Sequence, residues 1–198
     1  MQNIIGGIIT SIMFLNILVS TTTAQEQDDL GCLETVWQRT NPTEAEKQFD
    51  IENDEGILNS RFSCENDVSP TEVRTILSIL KDAVETGDAS NLSKFVIYPI
   101  IYLPRLEVKN EHGSMFGHVD VMNEADFFNH FDRITSPLFK DIVTCARVKV
   151  MSAAGPFGVL LGSGYIYFDK DPETNELKLS HINAYTKSQF EWLEEFCN

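Results

Sequence analysis

The sequence is short of positive charge. Lys and Arg number 15 against 30 Asp and Glu, a formal net charge of −15. Nucleic acid and anionic membrane are themselves polyanions, so this balance sets both aside as partners. No Cys-x-x-Cys occurs, which argues against a thioredoxin-like redox site or a zinc knuckle. No phosphate loop, zinc signature or internal repeat is visible, and no metal or cofactor is expected. Gly162-Ser163-Gly164 is not a nucleophile elbow, because it lies inside a strand-like pattern rather than before a helix. There it reads as a bulge or bend. The acidic stretch 169–176 lacks the glycine of a calcium loop, so it reads as a solvated turn.

Charge is also missing from residues 1–24, which contain no Asp, Glu, Lys or Arg. An apolar run over 4–19 is followed by small residues ending in Ala24, then by Gln25-Glu26-Gln27-Asp28-Asp29. That layout predicts a secretory signal peptide, residues 1–24, cleaved after Ala24. An uncleaved anchor is the rival, but a spanning helix needs roughly 20 apolar residues, and Gly6, Gly7, Thr10, Ser11 and Asn16 interrupt this shorter run. A lipoprotein with Cys32 as the modified residue is a weaker rival, because Asp28 and Asp29 precede it. The expected location is therefore secreted or periplasmic, with no membrane contact after cleavage.

Four cysteines are present: Cys32, Cys64, Cys145 and Cys197. In an oxidising compartment an even number suggests two disulfides. Four cysteines allow three pairings, and the sequence does not choose among them. The preferred one is Cys32–Cys64, tying down the N-terminal segment, with Cys145–Cys197, clipping a C-terminal helix to the body. One glycosylation sequon exists, Asn91-Leu92-Ser93, whereas Pro42 excludes Asn41-Pro42-Thr43.

Residues 25–67 are acidic and weakly patterned, and predict a partly helical N-terminal extension. Residues 68–198 predict the main domain. Its clearest helix start is Ser69-Pro70-Thr71-Glu72, a cap, a first-turn proline and a capping-box glutamate. Val73, Ile76, Leu77, Leu80 and Val84 follow at helical spacing, and Gly87 supplies a stop. Residues 88–91 read as a link. Residues 95–104 are apolar but broken by Pro99 and Pro104, and predict a segment leading into an edge strand. Residues 106–109 and 116–121 flank Asn110-Glu111-His112-Gly113 and predict a hairpin. Asn123 and Ser136-Pro137 predict two more helix starts. Residues 148–153, 158–168 and 177–185 read as three strands, and 189–197 as a terminal helix.

Helix, hairpin, helix and then a strand meander imply an α+β fold. On the helix 69–87, the exit Val96-Ile97-Tyr98-Pro99, the segment 123–134 and the strands carrying Gly162-Ser163-Gly164-Tyr165-Ile166-Tyr167-Phe168 and His181-Ile182-Asn183-Ala184-Tyr185, the chain resembles the NTF2-like (cystatin-like, SnoaL-like) superfamily. The resemblance spans about residues 68–186 and is similar to small secreted or periplasmic members. It implies a cone-shaped, strongly bent antiparallel sheet packed on helices. In enzymes of that superfamily an Asp or His inside the cone moves a proton.

The catalytic candidates here are His118, Asp120, Asp132 and His181, with His130 considered beside them. Alternation puts Ser163, Tyr165 and Tyr167 on one strand face, and Leu179, His181, Asn183 and Tyr185 on one face of the next. The opposite, apolar faces suit the helices. Tyr165, Tyr167, His181, Asn183 and Tyr185 then form an outer binding surface. A one-residue slip would turn them into the pocket instead. The plainer account of His181 is a hydrogen-bonded strand histidine, and of His118-x-Asp120 a solvated hairpin strand. Residues two apart on a helix diverge by about 200°, so His130 and Asp132 do not share a face.

The functional expectation is a non-catalytic binding domain for a protein partner or a small apolar ligand. Its acidity suits an inhibitor or immunity-type role against a basic partner. The alternative is an isomerase, dehydratase or hydrolase using a pocket His or Asp. A structural or envelope-associated protein is the third reading, which a stable homo-oligomer such as a homodimer would favour.

Overall fold

The computed structural model describes residues 24–104 and 117–197. The expected signal segment and most of the expected hairpin lie outside the described residues. What is described is an α+β body of eight helices and one six-stranded sheet. In chain order the elements are α1 (Ala24–Thr40), α2 (Glu44–Asn53), α3 (Phe62–Asn66), α4 (Pro70–Thr86), α5 (Ala89–Ser93), β1 (Val96–Tyr102), β2 (Val119–Val121), α6 (Glu124–Ile134), α7 (Pro137–Cys145), β3 (Ser152–Ala153), β4 (Val159–Leu161), β5 (Ile166–Lys170), β6 (Leu177–Ile182) and α8 (Lys187–Cys197).

Helix α4 forms where its end signals place it. Ser69 Oγ accepts from the Glu72 amide at 3.1 Å, and Glu72 returns a carboxylate to the Ser69 amide at 2.8 Å. Gly87 ends the helix at φ 73°, a left-handed conformation that suits glycine. Val73, Ile76, Leu77, Leu80 and Ala83 face the core. Asn123 caps α6 and Ser136 caps α7, as their positions before apolar runs predict. Residues 89–93, expected as a link, form the short helix α5 under an Asp88 cap.

The sheet runs β2-β1-β6-β5-β4-β3. It is mixed rather than antiparallel, because β1 and β6 pair in parallel. Local patterning carries no signal for a pairing between segments this far apart in the chain, so the sequence could not supply it. Nor is β1 an edge strand: β2 lies outside it. Pro99, which follows a cis peptide bond, is accommodated where the β1–β6 register shifts between Val96 and Ile101. Residues 148–150, expected as strand, form a single 3-10 turn before β3. The expected strand 158–168 is two strands joined by a turn. Gly162, Ser163 and Gly164 all have positive φ, which ends one strand and starts the next.

The helix-facing side of the sheet is a filled apolar layer. Phe127 and Phe139 from the helices and Ile100, Ile166, Phe168, Leu179 and Ile182 from the strands have no solvent exposure. Each fully buried phenylalanine of this kind contributes about 2–3 kcal/mol. The N-terminal segment is helical and packed: Phe62 of α3 belongs to the same core. Asp50 is buried and accepts from Trp37 Nε1 at 2.8 Å and the Thr71 amide at 2.7 Å, joining α1, α2 and α4. Arg39 grips both Glu72 oxygens at 2.8 and 2.9 Å.

Both disulfides form in the preferred pairing, Cys32–Cys64 and Cys145–Cys197. No helix among the described residues is long and apolar enough to cross a membrane.

Candidate functional site

One row of residues crosses the outer face of all six strands. Register pairs Asp120 with Ile101, Ile101 with His181, His181 with Tyr167, Tyr167 with Leu160, and Leu160 with Ser152. Tyr167 and His181 are half-buried and meet edge to face, ring centroids 5.2 Å apart. His118 Nε2 lies 2.7 Å from Asp120 Oδ1, both side chains more than half exposed.

A bulge decides what faces outward. Phe168 pairs with Leu179 and Tyr167 with His181, so Ser180 is the extra residue on β6. Leu179 therefore turns into the core and His181 turns out. Strict alternation had placed these two on one face, and the bulge corrects that. Ser180 Oγ donates to Asp169 Oδ2 at 2.8 Å, which fixes the carboxylate beside the aromatic pair. Burial lowers the His181 pKa below 6.5, the positive potential of His118 lowers it further, and Asp169 opposes both. The His181 ring is thus neutral near pH 7, one nitrogen donating and one accepting.

The structure does not keep all five expected surface residues together. Tyr165 is a turn residue with 3% exposure, its ring 6.4 Å from Phe139 and its hydroxyl 3.4 Å from Ser136 Oγ. It points inward because the left-handed run at 162–164 breaks the alternation. Burial raises its pKa, so the phenol stays protonated. Asn183 is spent locally, accepting from the Ala184 amide at 2.9 Å. Tyr185 is half-buried and stacks edge-on against Phe190 of α8 at 6.1 Å. Asp132 is exposed on α6, and the nearby His130 buries Nδ1 with no hydrogen-bond partner among the described residues.

Beside the row, an open groove of about 910 Å³ runs under α8. Leu160, Tyr167 and Gly164 belong to its sheet side, Glu191, Trp192 and Glu195 to α8, and Glu55, Gly56, Ile57 and Asn59 to the far wall. That far wall is held by the Ile57 amide on Met151 O at 2.8 Å and the Ala153 amide on Ser60 Oγ at 2.9 Å. Gly56 permits the approach, since a Cβ there would sit 2.2 Å from Met151 O. Helix α8 is held by the Cys145–Cys197 bridge and by Gln189, whose amide donates to Gly162 O at 3.2 Å and Ser163 O at 3.1 Å. Trp192 is 4% exposed, and its Nε1 has no acceptor among the described residues. The groove carries three carboxylates, Glu55, Glu191 and Glu195, against one cation, Lys149. Sequence reasoning missed it, because its two walls come from opposite ends of the chain.

A smaller cavity of about 190 Å³ opens at the start of α4. Two of its carboxylates are structural: Glu46 closes the Thr43 capping box, and Glu72 closes that of Ser69 and holds Arg39. No cluster of three or more His, Cys, Asp or Glu suited to a metal occurs among the described residues. Compared with known proteins, the chain matches no family model, no curated protein and no solved structure.

Proposed function

We propose that this chain is an exported, non-catalytic binding domain of the NTF2-like kind that holds a protein partner on its outer sheet face. The observation that carries the reading is the continuity of the Tyr167–His181 pair with the groove under α8, since Tyr167 belongs to both. Aromatic rings with polar tips, set in a cleft with an acidic rim, are the usual anchors of a protein interface. Glu55, Glu191 and Glu195 suit a basic partner segment, in keeping with an inhibitor or immunity-type role. The two disulfides support an oxidising compartment. The NTF2-like reading is supported by the order helix α4, paired strands, helices α6 and α7, then three successive strands in antiparallel pairing.

The enzymatic alternative rests on the 2.7 Å contact between His118 and Asp120. Its weakness is exposure: both side chains are open to water, and among the described residues no pocket shields them for proton transfer.

The test is affinity capture from the native extracellular or periplasmic fluid with wild type, Tyr167→Ala/His181→Ala and His118→Ala. A partner held by wild type, retained by His118→Ala and lost by the double variant supports the reading. A partner held equally by all three places the interface elsewhere. Turnover of a co-purifying small molecule that stops in His118→Ala would favour the enzyme.

A further inference from the structure

The chain is strongly acidic, yet four cations meet on one small surface. Arg74, Lys81, Arg147 and Lys149 all line an open cleft of about 400 Å³ between α4 and the 3-10 turn at 148–150. Arg74, Leu77, Ser78 and Lys81 stand at i, i+3, i+4 and i+7, so one stripe of α4 supplies one wall. Arg147 and Lys149 flank the buried Val148 and supply the other. The rest of the lining is Phe49, Asn53, Ala146 and Val148, apolar but for Asn53.

These cations differ from six of the other nine described Lys and Arg residues. Arg39, Lys47, Arg61, Lys170, Lys178 and Lys187 each hold a carboxylate within 4.0 Å. Among the described residues, no carboxylate lies that close to Arg74, Lys81, Arg147 or Lys149. Arg74 is laid over the Phe49 ring, its guanidinium carbon 4.0 Å from the centroid, and feels Glu46 and Asp50 only at longer range. Lys149 donates to the Glu52 carbonyl, which directs the ammonium without neutralising it. Four like charges repel one another, and a surface this acidic offers many carboxylates that could have answered them.

We propose that this cleft binds an amphipathic organic anion, with its carboxylate among Arg74, Lys81, Arg147 and Lys149 and its apolar body against Phe49, Leu77 and Val148. The volume falls in the range of small-molecule sites, roughly 300–1,000 Å³. Cations around an apolar floor match a ligand with one anionic end and one greasy end, and match neither a neutral lipid nor a bare inorganic ion. The site is independent of the partner surface proposed above; only Lys149 lines both clefts.

The probe is decanoate, titrated calorimetrically into the full folded chain in low-salt buffer beside 1-decanol and inorganic phosphate. Decanoate binds one-to-one, and each control binds about tenfold more weakly or worse. Lys81→Glu/Arg147→Glu loses about tenfold or more in decanoate affinity, while the charge-conserving Lys81→Arg/Arg147→Lys retains it. Tyr167→Ala leaves it unchanged. Absence of decanoate binding overturns the proposal. So does equal binding by the charge-reversed variant, or phosphate binding as tight as decanoate. An acidic peptide that binds in place of decanoate would likewise overturn it, in favour of a protein partner at this cleft.

Discussion

Asp50 has no solvent exposure, and its two oxygens serve two different helices. Burial raises its pKa, while the donors from Thr71 and Trp37 pull the other way. A buried donor without an acceptor costs about 1–3 kcal/mol, and Asp50→Ala leaves two half-buried donors, Trp37 Nε1 and the Thr71 amide, without theirs. The expected loss is therefore about 2–5 kcal/mol in urea unfolding. A loss below 1 kcal/mol would mean that Trp37 and Thr71 find other acceptors. His181 makes a pH-dependent contribution at the same scale. Its folded pKa lies below 6.5, so the unfolded chain takes the proton more readily. The site thus favours folding above 6.5, and that contribution is lost as pH falls through the depressed value. The stability advantage of wild type over His181→Gln should shrink between about pH 7 and pH 5. His118→Ala removes one of the two causes of the depression, so an NMR titration should show the His181 midpoint move upward. An unmoved midpoint would remove His118 from that account.

At the scale of elements, α8 is the helix that a disulfide clips to the end of α7. Its attachments include the Cys145–Cys197 bridge, the Gln189 hydrogen bonds, the buried Trp192 and the Tyr185–Phe190 ring contact. The bridge closes 52 residues of chain, a loop that chain-entropy arguments value at about 4 kcal/mol. The double variant Cys145→Ser/Cys197→Ser should lose about 2–4 kcal/mol, with amide exchange rising first in α8 and the 162–164 turn. Uniform exchange across the sheet would mean that α8 does not open separately. The elements also differ in how legible they were. Ser69, Pro70, Glu72 and Gly87 announce α4 because capping is local chemistry. Helix α1 was harder, because its apolar residues Leu33, Val36 and Trp37 occupy only part of one face. The 162–164 turn read as a bend inside one strand, since glycine signals both. The outer placement of Tyr167 and His181 followed from alternation against Phe168 and Ile182, whereas the inward turn of Leu179 depends on the extra residue Ser180, which no sequence period marks.

At the scale of the whole molecule, net charge sets the sign of the salt response. The chain carries −15, so compaction brings like charges together. The described ion pairs are mostly exposed or partly exposed, such as Lys47–Glu44 and Lys187–Glu191, and pairs of this kind contribute little to stability. Screening therefore removes more repulsion than attraction. The Debye length is about 30 Å at 10 mM salt and falls below about 8 Å above physiological strength. Moving from about 10 mM to about 500 mM NaCl should raise the urea midpoint of the folded chain. Docking responds the other way. A basic segment in the groove beside Glu55, Glu191 and Glu195 gains long-range attraction from the whole surface, and salt takes that away. Decanoate at the Arg74–Lys81–Arg147–Lys149 cleft approaches against the net charge, so its affinity should fall less steeply with salt than that of a basic partner. A urea midpoint that drops with salt would mean that specific pairs outweigh net repulsion. Equal salt slopes for the two ligands would mean that both are governed by local charges rather than by the field of the molecule.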